Sequence, residues 1–199
     1  FLDGEELDIR KGEVSGWRRT LHMDQGTVTR SFDWTSPAGR TVHVDTVRLV
    51  SFGVKNLMAM SYEVTPVNFD GEITFLSVLD ANVENHTRKT NPLVDYGPFG
   101  RCLLTDRITA DESMLFYQGT TEHSGLTMAC GSVMTVKSPL TQEWSVTGDG
   151  LHCRHKIAVH GTKGQTITAE KQIAYTSSLD LEKNAMRGFI LSKIGRAHV

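Results

Sequence analysis

The chain has 199 residues, 39% of them hydrophobic and 22% charged, and a formal net charge of -2. That length suits one β-sandwich domain able to bury a core without staples. Near-neutral charge excludes a field that recruits nucleic acid or an anionic membrane, and the sequence contains no apolar run long enough to span a bilayer. Opening on Phe1-Leu2-Asp3-Gly4, without an initiator Met, the sequence reads as lacking its true N-terminus and carries no secretory signal. Cys102, Cys130 and Cys153 are odd in number and far apart, so reduced thiols in a cytoplasmic protein are expected rather than a disulfide framework.

Strand signals begin at Gly12 and continue to about Asp80. In Thr27–Trp34, Val28, Phe32 and Trp34 share one face, while Thr27, Thr29, Ser31 and Asp33 share the other. Ser36-Pro37-Ala38-Gly39 predicts a turn, and Thr41–Phe52 returns as the second arm of a hairpin. Its apolar set moves from Val42 and Val44 to Val47 and Leu49, which predicts either a bulge or burial of both faces. Met58, Met60, Tyr62 and Val64 alternate in the next strand, which Pro66 closes before a turn at Asn68-Phe69-Asp70-Gly71. Glu72–Leu79 is apolar on both faces, as expected between two layers.

Asn82–Pro98 breaks this rhythm with Asn82, Asn85, Asn91, Pro92, Gly97 and Pro98 and predicts a long loop. Strands resume at Met114–Gln118, Gly125–Val136, Trp144–Val146, Leu151–Val159 and Gln165–Ala174. In the Leu151 strand, Leu151, Cys153, His155, Ile157 and Val159 share one face; His152, Arg154, Lys156 and His160 share the other. Ser177 and Asp180 stand at capping-box spacing, followed by Ala185, Met186, Phe189 and Ile190 at helical spacing. One short helix is therefore expected at the C-terminal end. The pattern as a whole predicts an all-β antiparallel sandwich.

Motifs of chemistry are weak. His152-Cys153-Arg154-His155 offers zinc-type ligands, but residues three apart on a strand face opposite ways. No metal site is expected, and Cys153 and His155 are assigned to packing. His123-Ser124-Gly125 lacks the Gly-x-Ser-x-Gly elbow of a nucleophile. Cys130 reads as a small buried hydrophobe. Asp80, Glu84, Asp95, Asp106, Asp111 and Glu112 supply acids, with solvated or turn-forming roles expected. Trp34 reads as core; Trp17, beside Arg18-Arg19, reads as partly exposed. The glycines form no dinucleotide fingerprint or P-loop, and no basic-aromatic stripe supports nucleic-acid binding.

Ordered segments then carry a resemblance. These are Leu2-Asp3-Gly4-Glu5, Arg18-Arg19-Thr20-Leu21-His22-Met23, Gly26-Thr27-Val28-Thr29-Arg30-Ser31-Phe32, Arg48-Leu49-Val50-Ser51-Phe52 and Tyr62-Glu63-Val64-Thr65-Pro66. Asp80-Ala81-Asn82-Val83-Glu84-Asn85 and Glu170-Lys171-Gln172-Ile173-Ala174-Tyr175-Thr176-Ser177 complete the set. Across residues 1 to 190 their order resembles the N-terminal domain of glycoside hydrolase family 65, which includes maltose, trehalose, kojibiose and nigerose phosphorylases. His22 stands where that family's pattern expects an acid, and Ser178 where it expects Arg.

The resemblance implies a galactose mutarotase-like super-sandwich over residues 1–178, with its first strands lacking, and the start of a helical linker over 179–193. It implies a catalytic (α/α)6 barrel beyond the chain, holding the general acid and phosphate pocket. There inorganic phosphate would invert an α-linked disaccharide to β-glucose 1-phosphate and glucose, with no metal or organic cofactor. The chain itself is expected to hold no catalytic residue. Its partners would be the barrel, the disaccharide and a second copy in a homodimer. Asn82–Arg101 is the candidate loop at the active-site mouth, with Asn85, Asn91, Asp95 and Tyr96 as substrate-adjacent residues. Residues 194–199 resemble translated sequencing-adapter DNA and are set aside, with a genuine tail as the alternative. A stand-alone sugar-binding module and a mutarotase-like epimerase using a His and a Glu are the competing functions.

Overall fold

The computed structural model describes residues 1–84, 100–111, 114–138 and 142–194, with the side chains of 142–144 outside that description. In chain order the strands are β1 Glu13–His22, β2 Thr27–Thr35, β3 Thr41–Val50, β4 Leu57–Pro66, β5 Gly71–Asp80 and β6 Leu103–Ala110. Then come β7 Leu115–Thr121, β8 Thr127–Lys137, β9 Gln142–Gly148, β10 His152–Gly161 and β11 Ile167–Ser177, followed by a 3-10 turn at Lys183–Ala185 and helix α1 at Met186–Ile194. No helix among the described residues is long and apolar enough to cross a membrane.

Two antiparallel sheets face each other. The larger has eight strands in the order β1-β2-β3-β4-β11-β8-β7-β6; the smaller has three, β5-β10-β9. Alternation explains the layer between them. Phe32, Trp34, Val42, Val44, Val64, Ile167, Ala169 and Val136 point inward from the large sheet, and Ile73, Phe75, Ile157 and Val159 meet them from the small one. Trp34 is fully buried, and its indole N–H donates to the Asp8 carbonyl at 3.2 Å. Each such aliphatic side chain contributes about 1.5–3 kcal/mol by leaving water.

The β2–β3 hairpin forms as predicted. Gly39 adopts φ +82°, and its N–H donates to Ser36 O at 2.8 Å. In β3, however, neither a bulge nor two-faced burial occurs. Its register with β2 runs unbroken from Thr27↔Leu49 to Thr35↔Thr41. Val42, Val44 and Thr46 keep the inward positions, so Val47 falls on the outer face, 40% exposed. In β5, Ile73, Phe75 and Ser77 face inward, whereas Leu76 and Val78 are each 40% exposed. The two-layer burial expected of β5 therefore holds for one face only.

Strand β6 was not anticipated from sequence. Its pairing with β7 shifts between Thr105 and Arg107, which breaks the period of two that marks a strand. A second irregularity lies in β1, between Ser15 and Arg18, where Gly16 sits at φ +62°.

The helix is real but its start differs from the capping-box prediction. Ser177 is still paired with Met128 in the β11–β8 ladder, and Asp180 N–H donates to Ser177 O at 3.0 Å, closing a turn. Asp180 spends its carboxylate on Lys55 at 3.0 Å instead of on a helix N-terminus. Helical structure begins only at Lys183. Met186, Ile190 and Ile194, four apart, are buried against Met114, Phe116, Ala129 and Ala174 on the outer face of the large sheet. Ile194 thus completes this second core, while 195–199 lie outside the described residues.

Candidate functional site

Asn85, Asn91, Asp95 and Tyr96, the residues picked from sequence, lie outside the described residues. The two ends of their loop are described and are tied together. Ala81 N–H donates to Leu151 O at 2.8 Å, and Asn82 N–H donates to the Asp80 carboxylate at 2.7 Å. Arg101 donates to the Asn82 side-chain oxygen, bridging the loop's entry and exit. Beside this base, His152 Nδ1 lies 2.9 Å from Asp149 and Nε2 lies 3.3 Å from Asp80. The hydrogen bond from His152 holds the Asp149 carboxyl below the usual carboxylate range. Both ring nitrogens are engaged, so this trio serves as an anchor for the loop base rather than as an acid-base pair.

The remaining sequence candidates separate. Cys153 and His155 face inward and are buried, whereas His152 opens to the surface. His155 Nε2 lies 3.0 Å from Asp111 O, and burial pushes its pKa down. Cys130 is half-buried, its thiol pushed up to about 11 by desolvation. In the turn after β7, Ser124 hydrogen-bonds Thr121 at 2.6 Å, while His123 approaches Glu122 at 3.9 Å. Asp106 binds Thr120 and Lys183, and Asp111 binds Arg187 at 2.7 Å. These acids fasten the helical segment to the sheet. Trp17 is 47% exposed as expected, but it packs on Phe32 at 5.2 Å and Arg30 lies 5.0 Å from its ring centroid. A sugar would have to displace that arginine to stack on the covered face.

Between the sheets lies a cavity of about 480 Å³, lined by Met60, Tyr62, Ile73, Phe75, Met134 and Lys171 among others. Glu6 reaches it, but no histidine lines it, so the His–Glu pair needed for mutarotase-type chemistry does not converge there among the described residues. Lys171 is desolvated, which lowers its pKa. Sequence reading missed this lysine and also the Asp33–His43–Asp45 trio on the outer face, with His43 at 2.6 Å from Asp33 and 3.0 Å from Asp45. A signal for the trio existed. His43 and Asp45 are two apart, and the predicted hairpin sets Asp33 opposite His43.

A model described as "Glycosyl hydrolase family 65, N-terminal domain" matches residues 1–198. The chain belongs to this family. It is 30% identical over 199 residues to an alpha,alpha-trehalose phosphorylase of Thermoanaerobacter brockii, covering 99% of the chain and 26% of that relative. A kojibiose phosphorylase of Halothermothrix orenii is 29% identical over 84 residues, covering 42% of the chain and 11% of the relative. A solved human-microbiome chain described as a kojibiose phosphorylase superposes with a TM-score of 0.80 at 14% identity, over 99% of this chain and 24% of that one. That likeness concerns the fold. The family 65 domain here thus spans about a quarter of the length of such relatives, and the antiparallel β architecture with a short C-terminal helix is the one the sequence predicted.

Proposed function

We propose that this family 65 domain is the non-catalytic N-terminal part of an inverting disaccharide phosphorylase. The observation that carries this reading is the match along the whole chain to a trehalose phosphorylase of which it spans only 26%. In the proposed reaction a carboxylic acid of the longer polypeptide donates its proton to the glycosidic oxygen as a phosphate oxygen bonds to the anomeric carbon. The C–O bond to the leaving sugar breaks, and β-glucose 1-phosphate and glucose leave. Inorganic phosphate is the co-substrate, and no metal or organic cofactor enters.

The domain's own contribution is mechanical. It packs on a catalytic barrel, presents the Asn82–Arg101 loop toward the active-site mouth, and takes part in a homodimer in the cytoplasm. The tied loop base supports this role: Arg101 and Asn82 hold the two described ends together. The test is made on the longer polypeptide encoded with this chain. Incubated with phosphate and trehalose, kojibiose or maltose, it should release glucose 1-phosphate in a phosphate-dependent reaction. Release of free glucose alone at the same rate without phosphate would overturn phosphorolysis. Substituting Arg101 by Ala should raise KM for the disaccharide more than it lowers kcat; an unchanged KM would remove the loop from the mouth.

A further inference from the structure

The small sheet ends where the Asn82–Arg101 loop begins. The last rung of its β5–β10 ladder pairs Asp80 with His152. Side chains on one rung stand close enough to touch, and these two meet on the face turned away from the large sheet. A single Asp80 oxygen, Oδ1, lies 3.3 Å from His152 Nε2 and accepts the Asn82 N–H at 2.7 Å. Asn82 in turn accepts a hydrogen bond from Arg101 through its side-chain oxygen. A continuous line of polar contacts thus runs from the imidazole to both described ends of the loop.

The β9–β10 turn fixes the ring from its other side. Asp149 Oδ1 accepts the backbone N–H of His152 at 2.8 Å and that of Leu151 at 3.3 Å, and ring Nδ1 lies 2.9 Å from the same oxygen. Gly150 makes the turn at φ +85°, a left-handed conformation that glycine adopts without steric cost. His152 is therefore held at its backbone and at Nδ1, which leaves Nε2 aimed at Asp80. Leu151 O, set by the same turn, accepts the Ala81 N–H at 2.8 Å, and Ala81 is 2% exposed. Both residues leading out of β5 are thus positioned from β10, Ala81 through the main chain and Asn82 through the His152 side chain. Capping the turn needs Asp149 and the main chain alone. The contact from Nε2 to Asp80 is additional, and it points at the loop. Without the ring, two carboxylates would face one gap with no donor between them, and Asp80 would lose the contact that orients it toward Asn82.

We infer that His152 is a positioning residue for the disaccharide: through Asp80, Asn82 and Arg101 it fixes the direction in which the loop leaves the sheet, and so where the loop meets the substrate. The inference rests on the reading that this loop reaches the active-site mouth. His152 itself touches no substrate and moves no proton of the reaction. Its effect passes through the loop base, so it belongs to substrate binding and leaves the chemical step alone.

Kinetics of the longer polypeptide test this, with whichever of trehalose, kojibiose and maltose it phosphorolyses. His152→Phe keeps a flat ring but offers nothing to either carboxylate. It should raise KM about threefold or more while kcat changes by less than about twofold, and Arg101→Ala should do the same. Because both residues act along one line, the double variant should raise KM no further than the larger single effect, within about twofold. An unchanged KM in His152→Phe, or single effects that multiply, would overturn the inference. His152→Gln keeps an N–H donor near the Nε2 position and should hold KM within about twofold of the unaltered polypeptide. A KM as high as that of His152→Phe would assign the effect to the ring's shape and would also overturn the inference. Hydrogen exchange supplies a readout apart from activity. The Asn82 amide should exchange about tenfold or more faster in His152→Phe, with amides in the middle of β10 unchanged. Unchanged exchange at Asn82 would overturn the line of contacts. The two readings fail separately. If Arg101→Ala leaves KM unchanged, the loop does not reach the mouth and the reading beneath this inference falls. If Arg101→Ala raises KM and His152→Phe does not, the role of His152 alone falls.

Discussion

Gly131, on β8 beneath α1, provides the sharpest check on how the helix is seated. A Cβ built there would stand 2.7 Å from Ile190 Cγ2, 3.1 Å from Met114 Sδ and 3.3 Å from Leu115 O. Carbon atoms settle at about 3.5–4.0 Å, so Gly131→Ala must push the helix outward by roughly 1 Å. Overpacking of this kind costs about 1–3 kcal/mol. Ile190→Ala removes the nearest clashing atom but leaves a void under a fully buried side chain, costing about 2–5 kcal/mol. The double variant should be less destabilised than the sum of the singles, with a coupling of about 0.5–3 kcal/mol, because each change relieves the other. Urea unfolding of the four 199-residue proteins, followed by tryptophan fluorescence, measures this. With a slope of about 2 kcal/mol/M, Gly131→Ala should lower the midpoint by roughly 0.5–1.5 M. Additivity within about 0.5 kcal/mol would show that α1 does not press on β8, and the seating described above would be wrong.

Other outcomes follow from the same structure. Hydrogen bonding to Asp33 raises the pKa of His43. A group raised on folding stabilises fully below its unfolded pKa, near about 6.5, and loses that contribution as pH rises through the folded value. The ring is 41% exposed, so screening limits the effect to about 0.2–1 kcal/mol. His43→Gln should flatten the change in urea midpoint between pH 6 and pH 8.5; an unchanged slope would count against the trio. With its pKa pushed up to about 11, the Cys130 thiol should react with a disulfide reagent about a hundredfold more slowly than an ordinary thiol, and only unfolding should release it. Fast labelling in the folded chain would refute its burial. Because Arg30 lies over Trp17, titrating this chain with maltose, trehalose or kojibiose should give no saturable change in tryptophan fluorescence. A saturable change would revive the sugar-binding module.

Local pattern was enough for β2, β10, the Pro37–Gly39 turn and the burial of Trp34, because each depends on alternation or turn chemistry within a few residues. Where the sequence misled, a tertiary or cross-strand partner decided the outcome. β6 hides behind its bulge. The inward face of β5 is fixed by what lies opposite it, and nothing in Glu72–Leu79 distinguishes Leu76 from Phe75. The capping signal at Ser177 lost to the β11–β8 ladder, whose hydrogen bonds continue through that residue. The cations that cross-strand register gathers on the inner face of the large sheet are the clearest case. Arg19, Arg30, Arg48 and Lys171 lie on four strands, and Lys171 joins the others only because β11 inserts between β4 and β8. No window along the chain contains that crossover.

The carboxylates argue where glycosidic chemistry must be supplied from. A general acid for cleavage needs a pKa raised toward neutrality, which comes from burial away from cations or from a like charge nearby. Asp8, Asp106 and Asp149 are displaced the other way, each held below the usual range by hydrogen bonds, led by those from Arg10, Thr120 and His152. Asp111 and Asp180 are paired with Arg187 and Lys55. With their pKa values lowered, Asp8, Asp106 and Asp149 keep their negative charge at neutral pH and have no proton to give to a leaving sugar. In the longer polypeptide, Asp106→Asn and Asp149→Asn should therefore leave the pH profile of kcat in place while lowering the melting temperature. A shift of the acidic or basic limb by more than half a unit in either variant would place a proton donor inside this domain and contradict its mechanical role.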